Sequence, residues 1–248
     1  MILIAVGAVV IGFLAICAAL FAVQRSMLFP APADVIEPKR GLVRGDGFVA
    51  LHYPGPKTVV HFHGNAEQLS HLEWLGEKFV EAGLGFYAVE YPGYGLSRAT
   101  PVSEEAIYAA AEAALTALEK TVPKDQLVLQ GQSLGSGVAA EMARRGHGSR
   151  LILIAAYTSI PDVAAGVFPW LPVKALVRDR FDTASKARQL SLPVLLVHGD
   201  QDEVIPVRMS RELSTLFPRA TLRIIEGAHH NDLIGRPEVL EALTTFAR

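Results

Sequence analysis

The chain has 248 residues, room for one sizeable core, and nothing in it suggests a second domain of comparable size. Apolar residues make up 50% and charged residues 19%, and a net charge of -2 without a basic stripe leaves no electrostatic footprint for nucleic acid. The single cysteine, Cys17, excludes an intrachain disulfide framework and a cysteine metal cluster.

Met1 to Val23 contains neither charge nor proline, and Gln24-Arg25-Ser26 ends the run. About 20 apolar residues suffice to cross a hydrocarbon core as a helix, so residues 1–24 read as a single-pass membrane anchor, with residues 1–23 in the membrane. A cleaved signal peptide would carry a basic amino-terminal region and a shorter apolar stretch. Leu14-Ala15-Ile16-Cys17 faintly resembles a lipoprotein cleavage site, but Ile16 is bulky where a small residue belongs. A buried core helix is the remaining alternative, and it would show a polar face. The basic residues nearest the span, Arg25, Lys39, Arg40 and Arg44, all follow it, which favours a cytosolic catalytic domain. Residues 25–46, with Phe29-Pro30-Ala31-Pro32 and Glu37-Pro38-Lys39-Arg40, read as a juxtamembrane linker, and residues 47–248 as the catalytic domain.

Strands are predicted over Gly47–Tyr53, Thr58–Phe62, Leu84–Glu90, Leu127–Gln132, Leu151–Ala156, Leu192–Val197 and Ala220–Ile225. Helical spacing places Leu69, Leu72, Leu75 and Phe79 on one face. It does the same for Ile107, Ala110, Ala111, Ala114, Leu115 and Leu118 in a helix opened by Pro101 and Ser103 and stopped by Pro123. Further helices run from the strand end at Gln132 to about Arg145, from about Arg208 to Leu216 and from Pro237 to Phe246. Ser159 to Thr183 reads as irregular. Val-, Leu- and Ile-rich strands alternating with helices predict an α/β fold, a mostly parallel sheet covered on both faces. Ligands collect at the carboxyl ends of such strands, and the Gly- and His-containing clusters fall there.

At the end of Leu127–Gln132, Gly131-Gln132-Ser133-Leu134-Gly135 matches Gly-x-Ser-x-Gly between a strand and a helix, the setting of a nucleophile elbow. A turn that sharp holds the serine in a strained conformation, and a Cβ at Gly131 or Gly135 would strike a neighbouring helix or strand. A serine hydroxyl needs a base beside it, which histidine supplies near neutral pH, and the imidazole needs an acid to fix its tautomer. Ser133 is followed by Asp202, after one strand, and His230, after the last, the chain order Ser, Asp, His of the α/β-hydrolase arrangement. Asp200 is the rival acid. Leu134, directly after the nucleophile, offers one backbone N–H to an oxyanion.

On these motifs residues 45–248 resemble the α/β-hydrolase superfamily, and within it the small abhydrolase-domain serine hydrolases with an amino-terminal membrane segment, of monoacylglycerol-lipase-like or depalmitoylase-like type. The resemblance rests on His63-Gly64-Asn65, on Tyr91 to Ser97, on His198, Gly199, Asp202 and Pro206, and on Gly227 to Asp232, besides the elbow. It implies His230 as the base, with His229 standing where the family has a small residue, and Asn65 as the second oxyanion donor. His63 and His198 belong to the motifs and read as structural; His61 reads as core; Tyr91 and Tyr94 either line the pocket or pack their loop. Asp232 and Glu203 read as solvated or capping.

No cofactor is expected. His61 and His63 lack an acidic or cysteine partner at ligand spacing, so no metal is expected either, and the elbow has no Walker-type Lys or Arg. The expected activity is cleavage of a small-molecule acyl ester or thioester through an acyl-enzyme, beside a membrane. The alternatives are a serine peptidase or amidase on the same triad and a non-catalytic hydrolase-like scaffold. Phe168, Trp170, Leu171 and Val173 form either an apolar lip over the site or an ordinary covering helix.

Overall fold

The computed structural model describes residues 2–248; Met1, the first residue of the predicted span, lies outside the described residues. The amino-terminal helix α1 (Ile2–Leu28) is apolar on every face, and its Ile4–Leu28 stretch is long and apolar enough to cross a membrane, with only 6% of it buried. A core helix of a soluble domain would be largely buried, so that alternative fails here.

Eight strands follow in one sheet: β1 (Leu42–Gly45), β2 (Phe48–Tyr53), β3 (Thr58–Phe62), β4 (Gly85–Val89), β5 (Leu127–Gln132), β6 (Arg150–Ile154), β7 (Val194–Gly199) and β8 (Ala220–Ile225). Their order is β1-β2-β4-β3-β5-β6-β7-β8, with β1 and β2 antiparallel to their neighbours and the rest parallel. The predicted mostly parallel sheet is therefore present. Strands β4 and β5 pair with opposite edges of β3, so the direction of winding reverses there and a crevice opens beyond the carboxyl ends of β3 and β5.

Side chains alternate across the pleat and feed two cores. Val60, Phe62 and Leu129 join Ile107 and Ala111 of α3 (Glu104–Leu118), Val138 and Met142 of α4 (Leu134–Arg144) and Met209 of α8 (Val207–Leu216). Val59 and Val128 face the other way, with Leu75 and Phe79 of α2 (Glu73–Glu81) and Val239 and Leu243 of α9 (Pro237–Ala247). The start of α3 follows its predicted cap: Ser103 Oγ accepts the Ala106 N–H at 3.1 Å, with Glu104 and Glu105 in the first turn.

Three stretches differ from expectation. Leu42–Gly45, assigned to the 25–46 linker, forms β1, an antiparallel edge strand turned back on β2 at Asp46-Gly47, where Gly47 has φ +79°. Helix α1 continues to Leu28, past the expected end of the anchor at residue 24, and Phe29 then packs in the core against Phe181 at a ring separation of 6.2 Å. Ser159–Thr183 is not irregular throughout: α5 (Ile160–Val167) and α6 (Val173–Leu176) lie within it, and α7 (Thr183–Ala187) closes it. Ser159 caps α5 by accepting the Asp162 N–H at 3.2 Å, a local signal that the Phe168-Pro169 break conceals in the sequence pattern.

Candidate active site

Ser133 sits between β5 and α4 at φ 49°, ψ -119°, a conformation that costs a non-glycine residue about 1–3 kcal/mol and persists only under outside constraint. The constraint is visible. The Ser133 N–H donates to the Ile154 carbonyl at 2.9 Å, and its own carbonyl accepts from the Ser136 N–H at 2.9 Å. A Cβ on Gly131 would collide with the Gly135 carbonyl, and one on Gly135 with the Phe62 carbonyl, so both elbow positions need glycine as predicted.

His230 Nε2 lies 3.0 Å from Ser133 Oγ, and His230 Nδ1 lies 2.7 Å from Asp202 Oδ2. A carboxylate only accepts, so Nδ1 carries the proton and Nε2 is left as the acceptor facing the serine hydroxyl. Asp202 is held from several sides: Oδ1 accepts the Val204 and Ile205 N–H groups at 2.9 and 2.7 Å, and His198 Nε2 is 3.3 Å from Oδ2. Burial pushes the Asp202 carboxyl up, but hydrogen bonds from His198, His230 and the Ile205 N–H outweigh it and hold the group well below the usual carboxylate range. His198, read as structural from sequence, thus also holds the Asp202 carboxylate, and its Nδ1 lies 2.6 Å from Ser210 Oγ.

The loop after β3 abuts Ser133, since a Cβ on Gly64 would stand 3.5 Å from Ser133 Cβ. The Gly64 N–H is engaged by Glu67 Oε2 at 2.7 Å, and the Asn65 side chain is engaged at both ends. Its Nδ2 donates to the Leu28 carbonyl at 2.8 Å, and its Oδ1 accepts from Tyr94 Oη at 2.6 Å. These bonds fix the loop against the elbow. Leu134 opens α4, where a backbone N–H has no partner inside the helix. Tyr91 donates to the His63 carbonyl at 3.0 Å and stacks on the His63 ring at 4.0 Å; both tyrosines are fully buried, so they pack the loop instead of lining a pocket. Glu67 is a contributor that the sequence reading missed; its place three residues after Gly64 was the available signal.

The rival residues go elsewhere. Asp200 Oδ1 accepts the Gly227 N–H at 2.7 Å and braces the histidine loop. The His229 ring is 60% exposed and faces Glu203, 57% exposed, at 3.1 Å. Asp232 accepts from the His229 N–H and from Arg236, both at 2.8 Å. His61 is buried in β3 beside Gln130, which burial alone explains as core. Among the described residues no group of three His, Cys, Asp or Glu side chains is placed to hold a metal ion.

The apolar segment after β6 neither covers the sheet nor forms a free lip. Leu171 and Val173 pack with Cys17 and Leu20 of α1, and Trp170 meets Phe13 edge-on at 6.5 Å.

Comparison with known proteins agrees with this architecture. The family described as serine aminopeptidase, S33, matches residues 55–181, and that described as alpha/beta hydrolase fold matches residues 174–237. Alpha/beta hydrolase domain-containing protein 17C of Xenopus tropicalis is 33% identical over 215 residues, spanning 84% of this chain and 67% of that protein. An uncharacterized protein of Mycobacterium tuberculosis is 29% identical over 222 residues, 87% of this chain and 77% of its own. Among solved structures, the monoacylglycerol lipase of Paleococcus ferrophilus superposes with a TM-score of 0.61 at 21% identity over 81% of this chain and 98% of that one. An esterase of Exiguobacterium antarcticum superposes with a TM-score of 0.66 at 18% identity, over 86% and 99%. By family match, sequence relatives and fold, this chain belongs to the α/β-hydrolase superfamily.

Proposed function

We propose that this protein is a membrane-anchored serine hydrolase that cleaves carboxylic esters or thioesters, with Ser133, His230 and Asp202 as its triad. The observation that carries the reading is the unbroken relay from Ser133 Oγ through His230 to Asp202, at 3.0 and 2.7 Å, on a serine held at positive φ. Ser133 Oγ attacks the acyl carbonyl while its proton passes to His230 Nε2, and Asp202 stabilises the imidazolium. The negative oxygen of the tetrahedral intermediate rests on the Leu134 and Asn65 backbone N–H groups. Collapse expels the alcohol or thiol, which takes the proton from His230. Water then enters, gives its proton to the same nitrogen, and releases the acid from Ser133.

Supporting the ester assignment are the fold neighbours named as a lipase and an esterase. The apolar, largely unburied helix α1 supports the anchor. A peptidase is the second reading, favoured by the family match described as serine aminopeptidase over residues 55–181.

Labelling by a fluorophosphonate probe, wild type beside Ser133→Ala, tests the nucleophile: wild type takes label and the variant does not. Label on neither protein sinks the enzyme reading. A panel of p-nitrophenyl esters set against aminoacyl amides separates the two activities, and turnover of amides alone selects the peptidase.

A further inference from the structure

Helix α1 does more in this molecule than an anchor requires. Its last two turns are clamped to the segment after β6. Gln24 Nε2 donates to the Leu176 carbonyl at 3.3 Å, Gln24 Oε1 accepts the Arg178 N–H at 2.9 Å, and the Arg178 guanidinium lies 3.9 Å from the centre of the Phe21 ring. Between the two walls lies a cavity of about 270 Å³, lined by Leu20, Phe21 and Leu28 on the helix side and by Val163, Phe168 and Leu176 on the other. Of the side chains that line it Gln24 alone is polar, and its amide is already spent. Water needs two to four polar partners to occupy a cavity, so an apolar ligand is the favoured guest.

The cavity does not contain the triad; on the helix side its rim is bonded to the loop after β3, and on the other it continues the chain that leaves β6 beside Ser133. Leu28 offers its carbonyl to Asn65 Nδ2. Ile160, also in the lining, follows the β6 end whose Ile154 carbonyl receives the Ser133 N–H.

Its position along the helix also counts. The Phe13–Trp170 contact is twelve residues from Arg25, about 18 Å of helix. Trp170, which meets Phe13 of α1, is 57% exposed, and Val167 is 63% exposed. Phe13 lies near the middle of residues 1–23, so Trp170 stands at the depth of the apolar span from which the substrate would enter.

We propose that this cavity receives the acyl tail of the substrate, that α1 is one wall of the substrate site, and that the substrate is a single-chain amphiphile entering from the bilayer. The proposal rests on the acyl-hydrolase reading above. A cavity just below the usual 300–1,000 Å³ of ligand sites suits one acyl chain and not two. Without α1 the same residues of α5 and α6 would form an open apolar face.

The test uses the full-length protein in detergent micelles, with p-nitrophenyl acetate and p-nitrophenyl laurate as substrates. Leu20→Trp and Ala164→Phe fill the cavity from opposite walls, and each lowers the laurate-to-acetate ratio of kcat/KM at least about tenfold. Val23→Trp, on the exposed side of the same helix, leaves the ratio where it was. A binding measurement needs no turnover: Ser133→Ala takes up cis-parinaric acid, and adding Leu20→Trp abolishes the uptake. An unchanged ratio in both filling variants, or no parinarate uptake by Ser133→Ala, overturns the proposal. A wild type inactive on both esters, with parinarate uptake still lost on Leu20→Trp, supports the acyl cavity while it sinks the esterase reading.

Discussion

The Arg25 guanidinium lies across the Asp179 carboxylate, Nε to Oδ2 at 2.8 Å and Nη2 to Oδ1 at 3.2 Å. Asp179 Oδ1 also accepts the Glu104 N–H at 2.8 Å, so one buried carboxylate joins the end of α1, the end of the segment after α6 and the first turn of α3. These bonds join the carboxyl end of the helix directly to the domain.

Removing that carboxylate leaves the Glu104 N–H unpaired and Arg25 free to return to water, since its side chain is 44% exposed. Asp179→Ala is expected to cost roughly 2 kcal/mol, the penalty of unsatisfied polar groups, and to lower the melting temperature by about 4–8 °C. Thermal unfolding monitored by circular dichroism reads this directly. An unchanged melting temperature would show that the clamp contributes nothing to the fold.

The two aspartates of the loop after β7 are expected to separate by function. Asp202→Asn keeps the shape but reverses the preference of Nδ1, favouring the wrong imidazole tautomer, and lowers kcat by about 10⁴-fold. Asp200→Asn retains an acceptor for the Gly227 N–H and changes kcat far less. Steady-state kinetics on one activated ester decides it; equal losses would displace Asp202 from the role of acid.

Much of the site could be read from the chain because each part is local. The elbow glycines, the Asp202 loop and the His230 loop each sit at a strand end, and the sheet alone brings those ends together. What could not be read depends on packing. Helix α1 is apolar all round, so no stripe marks the side that meets Leu171 and Val173. Strand β1 is half exposed and offers only Leu42 and Val43 as apolar residues, too few to show alternation, although Asp46-Gly47 is a hairpin signal. His198 acts on the site only through Asp202, and no spacing rule names such a residue.

The adjacent histidines give a second functional contrast. His230→Ala removes the base and lowers kcat by about 10⁴-fold or more. His229→Ala breaks only an exposed pair with Glu203 and leaves kcat within about twofold. Each variant is assayed on the same ester with its fold checked by circular dichroism. A large loss in His229→Ala would reassign the base.

His61 gives the fold an acid-sensitive point apart from catalysis. It is fully buried in β3, where burial first and the neighbouring His63 second push its pKa down to about 3. In the unfolded chain it titrates near 6.5. Between those values the unfolded state binds a proton that the native state refuses, so stability is complete above the unfolded pKa and falls as pH drops through it. From about pH 7.5 to 5.0 the loss is about 2 kcal/mol. The Asp202 contribution has the opposite origin, a depressed carboxylate, and is lost only below about pH 4, outside this window. His61→Gln keeps an acceptor for Gln130 Nε2, which lies 2.9 Å from His61 Nδ1, and removes the titration. Urea unfolding at the two pH values is expected to show the fall in wild type reduced by about 2 kcal/mol in the variant. Equal falls in both proteins would mean that His61 takes its proton in the folded state.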